Sequence, residues 1–227
     1  MAFSKLYDSA QAAVADIPDG ATVLIGGVTG VNAPAGLLNA LADRDVRGLT
    51  CVCDSNYYGA KAFHRLVAAG CVSRIISPAP FGPGEADIIQ DLWRSGDLTV
   101  EVVPWGTLAE RMRSAGAGIG GVFLPVGIGT RFAEGKEVRV INGVECLYEP
   151  PLRGDFALIR ASRADGVGNL VYAGAQRGWN SAVVSAARVA IAEVDQVVET
   201  GSIDPELVIT PGIFVNRIAR ASSVPIG

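Results

Sequence analysis

The chain has one histidine, two methionines and four cysteines among 227 residues, and each scarcity removes a class of chemistry. The single histidine, His64, sits beside Lys61 and Arg65 with no serine or cysteine elbow set against it, so a nucleophile–histidine–acid triad is not expected. Cys51, Cys53, Cys71 and Cys146 have neither CxxC nor zinc-ribbon spacing; they read as buried thiols of a reducing cytoplasm, and no metal site is expected. Cationic residues are not in excess. Nineteen Lys and Arg against 23 Asp and Glu leave a net charge of −4, with no broad basic face for nucleic acid or anionic lipid. No apolar run is long enough to span a bilayer, and the first twenty residues carry acids and no unbroken apolar core, so neither a membrane segment nor a secretory leader is expected.

What the chain does have is apolar residues and glycine: 49% of it is hydrophobic and 28 residues are glycine. That suffices for one sizeable core, and with no repeat, low-complexity linker or composition break, residues 1–227 read as one domain. Short β-branched runs at 21–25, 49–53, 72–76 and 98–103 read as buried strands. Helical patterns lie between or after them at 34 to about 44–47, 57–70, 86–95 and 108–115, with a further short helix at 4–15. Such alternation predicts a doubly wound, mainly parallel sheet with helices on both faces. The second half is less regular: a short strand at 122–124, a β-hairpin over 136–148 turning at Asn142-Gly143, strands at 156–160, 170–172 and 189–193, and a helix at 181–187.

The chain is organised around residues 19–34, DGATVLIGGVTGVNAP: strand, glycine turn, then a helix with Leu37, Leu38 and Leu41 on one face. A glycine pair at the carboxyl end of a strand lets a ligand approach the backbone and can leave N–H groups for negative charge. The plainer reading, a turn and nothing more, stands beside it. Gly26, Gly27 and Gly30 give G-G-x-x-G, which is neither the dinucleotide fingerprint nor a P-loop.

These residues resemble the signature of the alpha (A-type) subunit of class I, 3-oxoacid-type coenzyme A transferases. Asp19-Gly20, Val23-Leu24-Ile25, Gly26-Gly27 and Pro34 fall in place, while Val28 stands where the family has Phe and Asn32 where it has Gly. Further blocks follow in order: PWGTLAERMRSAGAGI (104–119), PVGIGT with EGKEVR (125–139), GDFALIRASRADGVGNLVY (154–172), AEVDQVVE (192–199) and TPGIFVNRI (210–218).

The resemblance implies a heteromeric enzyme that moves CoA between an acyl-CoA and a free carboxylic acid, with CoA and acyl-CoA as substrates and no permanently bound cofactor. In that family a glutamate on the second, beta subunit forms the glutamyl-CoA intermediate, and its glutamate-glycine motif is not found here. This chain is then expected to supply an oxyanion and CoA cradle from Gly26, Gly27, Val28, Thr29, Gly30 and Asn32, and an acyl pocket from Asp54, Ser55, Asn56, Glu85, Trp105 and Gly106. The pocket departs from the family: Asp54 and Ser55 replace an Asn-Asn pair and Trp105 replaces Gln, so a partly hydrophobic site for a different acid is expected. Trp105 either stacks on a bulky acyl group or packs under the next helix as core. Asp54 either faces the substrate or caps a helix. Glu85, after a flexible loop, is either covalent or supporting. Arg177 either pairs with an anion or lies on the surface. The alternative activities are a CoA-ester hydrolase or ring-cleaving hydrolase on the same scaffold, or a CoA-ester binding protein.

Overall fold

The computed structural model describes residues 5–28, 32–55, 60–82 and 87–221. A short helix, α1 (Ala10–Val14), leads into β1 (Thr22–Ile25), α2 (Ala35–Ala42), β2 (Leu49–Val52), α3 (Lys61–Ala68), β3 (Val72–Ser77), α4 (Ile88–Ser95), β4 (Thr99–Val102) and α5 (Trp105–Gly116). Strands β5 (Val122–Leu124), β6 (Val138–Ile141) and β7 (Val144–Glu149) make a separate antiparallel sheet in the order β5-β7-β6. The chain then returns to the main sheet through β8 (Gly154–Asp165), β9 (Leu170–Val171), α6 (Arg177–Val183), β10 (Ala187–Val198) and β11 (Arg217–Arg220). The main sheet runs β11-β10-β8-β1-β2-β3-β4, every neighbouring pair parallel, with β9 antiparallel on β8. This is the expected α/β architecture.

Its central strands β1 and β2 are almost wholly apolar because both faces are covered. Val23 and Ile25 of β1 join a core with Leu37 and Leu41 of α2, Phe63 and Leu66 of α3 and Ile89 of α4. Leu24, between them, points the other way, into a second core with Leu108 and Met112 of α5 and Trp179 and Val183 of α6. The period of two along the strand thus assigns α1 to α4 to one face and α5 and α6 to the other. Cys51, Cys53 and Cys71 lie buried in the first core and Cys146 is buried on β7, all four as free thiols.

Several boundaries differ from the sequence expectation. Helix α5 opens at Trp105, because Pro104 fixes the residue before it and needs no N–H there, and it runs on through the small residues to Gly116. The helix expected at 181–187 is displaced to Arg177–Val183, and β10 starts at Ala187 and extends to Val198, where only 189–193 was expected. Charged positions within β8 and β10 interrupt the apolar runs by which a buried strand is recognised. The hairpin turn is as expected: Asn142 (φ 52°) and Gly143 (φ 80°) are both left-handed, as a two-residue type I′ turn needs.

Arg217 of β11 ties the chain's ends together. Its guanidinium donates to both Asp16 oxygens and to the Ala13 carbonyl at 2.7 Å, closing the end of α1. This pairing holds the Asp16 carboxyl below its ordinary value of 3.8. A depressed carboxylate adds stability above its unfolded pKa and loses it as pH falls through the folded one. Asp16→Asn is therefore expected to lower the stability read from urea unfolding at pH 7 by no more than about 1 kcal/mol, since the group is exposed, and the gap from wild type closes below pH 3.8.

Candidate active site

The strand order reverses at β1, with β2, β3 and β4 to one side and β8, β10 and β11 to the other. At such a reversal the connections leave in opposite directions, and the crevice beyond the strand ends is where open α/β sheets hold ligands. Gly26 and Gly27 stand in that crevice. Their surroundings explain both glycines. A Cβ on Gly26 would lie 1.9 Å from Oδ1 of Asn180, and Gly27 has φ +102° with the Cα and N of Ala33 only 2.8 Å from where its Cβ would be.

The Gly26 N–H donates to the Leu158 carbonyl at 2.8 Å, so that amide belongs to the sheet. This corrects the expectation for Gly26 alone, whose amide is not left for negative charge: the base of the turn is buried, and solvent is first met at Val28, which is 36% exposed. Asn32 closes the turn with φ +57°. Thr29, Gly30, Asn56 and Glu85 lie outside the described residues.

Asn180, on α6, holds this arrangement and is fully buried. Its Oδ1 accepts from the Arg160 backbone N–H at 2.9 Å, and its Nδ2 donates to the carbonyls of Gln176 at 2.9 Å and Asn32 at 3.3 Å. One amide thus fastens β8, α6 and the far end of the glycine turn. No sequence signal marks Asn180 for this task. Arg177, one turn earlier, is exposed.

On the other side of the turn, α2 starts with no side-chain cap from its own neighbourhood. The cap comes from β10. Glu193, 2% exposed, accepts from the Leu37 N–H at 2.9 Å and from Gly36, and its second oxygen meets Arg160 at 2.7 Å. Arg160 lies directly opposite Glu193 in the β8–β10 register and also pairs with Asp195. Burial pushes the Glu193 carboxyl above its ordinary 4.5, while the helix N–H groups and Arg160 pull back toward the charged form. The positive end of α2 is therefore filled by the chain's own carboxylate. Sequence reasoning missed this cluster. Its signal was there as single charges inside the apolar runs LIRAS and IAEVD.

The expected acyl-pocket residues lie along the same edge. Leu24 pairs with Val52, and Gly26 and Asp54 each follow two residues later, past the ends of these neighbouring strands. Asp54 is only 7% exposed. Its carboxylate accepts from the Ser55 hydroxyl at 3.0 Å and from the indole N–H of Trp105, and its carbonyl accepts from the Ser77 hydroxyl at 3.2 Å. Trp105 is 50% exposed, so the reading of it as ordinary core is overturned. Gly106 follows in the same first turn of α5, with open space beside it.

The chain matches the family described as Coenzyme A transferase over residues 7–221. It belongs to the coenzyme A transferase family. It is 42% identical over 219 residues to the A-type subunit of the 3-oxoadipate CoA-transferase of Pseudomonas putida, covering 96% of this chain and 94% of that one. The alpha subunit of the acetate CoA-transferase of Escherichia coli K12 is 37% identical over 200 residues, covering 88% and 90%. Among solved structures, an acyl-CoA transferase of Escherichia coli O157:H7 in a thioester complex with CoA superposes with a TM-score of 0.81 at 22% identity, over 96% of this chain and 50% of that one. The chain is thus an alpha-type subunit of a class I CoA-transferase.

For a CoA-transferase subunit, the position of the glutamates decides what the chain can do alone. Glu101 pairs with Arg74 and Arg111 on the outer strand, Glu110 with Arg113, and Glu137 with Arg139. Glu134 borders a cavity of about 370 Å³ with Arg131, Phe132, Phe81 and Trp93, beside β4 and three strands from the glycine turn. Among the described residues, no helix is long and apolar enough to cross a membrane.

Proposed function

We propose that this chain is the alpha half of a heteromeric acyl-CoA:carboxylate CoA-transferase whose nucleophilic glutamate belongs to a beta subunit. One observation carries the reading: a switch-point crevice bordered by a glycine turn, with Glu101, Glu110 and Glu137 paired to arginines and Glu134 placed beside β4. The carboxylate buried close to the turn, Glu193, is held by α2 and Arg160 and is not presented to the crevice.

The chemistry then divides between chains. The partner's glutamate oxygen attacks the thioester carbonyl, forming an acyl-glutamyl anhydride and expelling CoA thiolate. The thiolate attacks the glutamyl carbonyl, giving a glutamyl-CoA thioester and the free acid, and an acceptor acid reverses both steps. Each attack places negative charge on a carbonyl oxygen, and one pre-aimed N–H in a site closed to water is worth about 3 kcal/mol of barrier. The outer part of the glycine turn, from Val28 onward, is assigned that role, beside its buried base at Gly26 and Gly27. CoA and the acid act as substrates. Nothing among the described residues favours the hydrolytic alternative.

The test is to purify the chain with its beta subunit, treat the complex with acyl-CoA in the absence of acceptor, and weigh each chain by mass spectrometry. A CoA-thioester adduct on a glutamate of the beta subunit is expected, with no turnover by either chain alone. An adduct on this chain would overturn the division of labour.

A further inference from the structure

The rim of the crevice carries a fixed pair that the general reaction does not use. Trp105 follows β4 and Asp54 follows β2, and β3 lies between them, so the indole reaches over the end of β3, across about 9.6 Å of sheet, to meet Asp54. An indole nitrogen only donates and the Ser55 hydroxyl donates at 3.0 Å, so the Asp54 oxygens are held as acceptors. The same bond locks the ring: with its N–H tied down, the exposed half of Trp105 is an apolar plane of set orientation. Behind it, Ser77 donates to the Asp54 carbonyl at 3.2 Å and fixes the backbone on which the carboxylate rides. Asp54 and Gly26 each lie two residues beyond the paired Val52 and Leu24 of neighbouring strands, so an acyl group whose carbonyl sat at the glycine turn would pass along the edge that carries this pair.

We propose that the Asp54–Trp105 pair selects the acyl group, favouring monocarboxylic acids with a flat or extended apolar body and rejecting acids that carry a second carboxylate. The inference rests on the CoA-transferase reading of the same site. A distal carboxylate would be brought beside the buried Asp54 oxygens and lose water to the indole face, two penalties that an apolar terminus does not meet. The apolar terminus instead covers the ring, as aromatic platforms at such rims do. Specificity of this kind would set the chain apart from its relative of Pseudomonas putida, whose name gives a dicarboxylic substrate.

The discriminating pair of acceptors is 3-oxohexanoate and 3-oxoadipate, which share a backbone and differ in whether the far end is a methyl or a carboxylate. With the beta subunit present, wild type is expected to favour 3-oxohexanoate in kcat/KM by about tenfold or more. Asp54→Asn keeps an oxygen for the indole N–H and removes the charge; it is expected to shrink that ratio through a gain on 3-oxoadipate. Trp105→Gln is expected to lower kcat/KM for a bulky acid such as 3-oxo-5-phenylpentanoate at least about tenfold more than for acetoacetate, chiefly through KM. Turnover with an unaltered preference in Asp54→Asn, or a wild type that prefers 3-oxoadipate, would overturn the inference while leaving the transferase reading intact. Absence of turnover and of any glutamyl adduct would instead count against the transferase reading. In that event, tryptophan fluorescence titration of wild type and Asp54→Asn with the two acids still decides the selectivity, and equal affinity for both in wild type refutes it.

Discussion

Gly26→Ala is expected to destabilise the fold by about 4 kcal/mol, the sum of an overpacked core position and at least one buried polar group deprived of its partner. The added methyl would stand 1.9 Å from Asn180 Oδ1, so the amide must leave. In many proteins a side-chain tip can swing away at little cost. Here it is fully buried and makes bonds to the Arg160 N–H and to the Gln176 and Asn32 carbonyls, so moving it orphans groups on β8, α6 and the glycine turn together. Against the usual margin of about 5–15 kcal/mol for a domain, roughly a quarter or more is lost. Chemical denaturation of the chain with its partner reads the loss directly. The mechanism has its own control: Gly26→Ala with Asn180→Ala removes the colliding amide, leaving Asn180 Cα at 3.3 Å from the new methyl, a contact that small shifts relieve. The double variant is therefore expected to cost clearly less than the two single changes added, and simple additivity would refute the account.

That interlock also marks how far the sequence could be read. The strand–turn–helix at 19–34 was legible because its apolar period and its glycines are local signals, as was the Asn142-Gly143 hairpin, where the left-handed pair is written in two adjacent residues. The parallel sheet followed from alternation alone. What the sequence did not disclose is held by residues far apart in it. Gly26 and Asn180 belong to opposite ends of the chain, and no local pattern says that a glycine is there to make room for a particular amide. The helix cap on α2 comes from Glu193 on a strand that pairs only at the end of the chain's path, so the rule that a cap lies just before its helix gave no hint. Likewise Trp105 could be placed at the pocket by position. Its hydrogen bond to Asp54, which turns two separate residues into one device, needed the order of the strands.

Arg160→Ala is expected to cost about 3–5 kcal/mol, because it leaves the Glu193 carboxylate buried with no cation beside it. The Leu37 and Gly36 N–H groups still face the carboxylate, but partial charges at a helix end do not replace a guanidinium at 2.7 Å. The penalty should depend on pH in a direction set by Glu193. Its folded pKa is already raised above 4.5 by burial, so its contribution is fully present below that value and lost as pH rises through the folded pKa. Removing Arg160 raises the folded pKa further and widens the window, so the gap between wild type and Arg160→Ala should grow as pH rises above 4.5 and narrow as pH falls toward it. Urea unfolding across that range measures it. Arg160→Lys keeps one charge but cannot fork between Glu193 and Asp195, so an intermediate loss is expected. Replacing Glu193 by Gln together with Arg160 by Met removes both charges and should recover much of the stability lost in Arg160→Ala, as a buried pair replaced by neutral groups commonly does. A penalty under about 1 kcal/mol, flat with pH, would mean that water reaches Glu193 and that the start of α2 is not anchored through it. With the anchor in place, the far side of the glycine turn is held twice, by Asn180 at Asn32 and by Glu193 at Leu37.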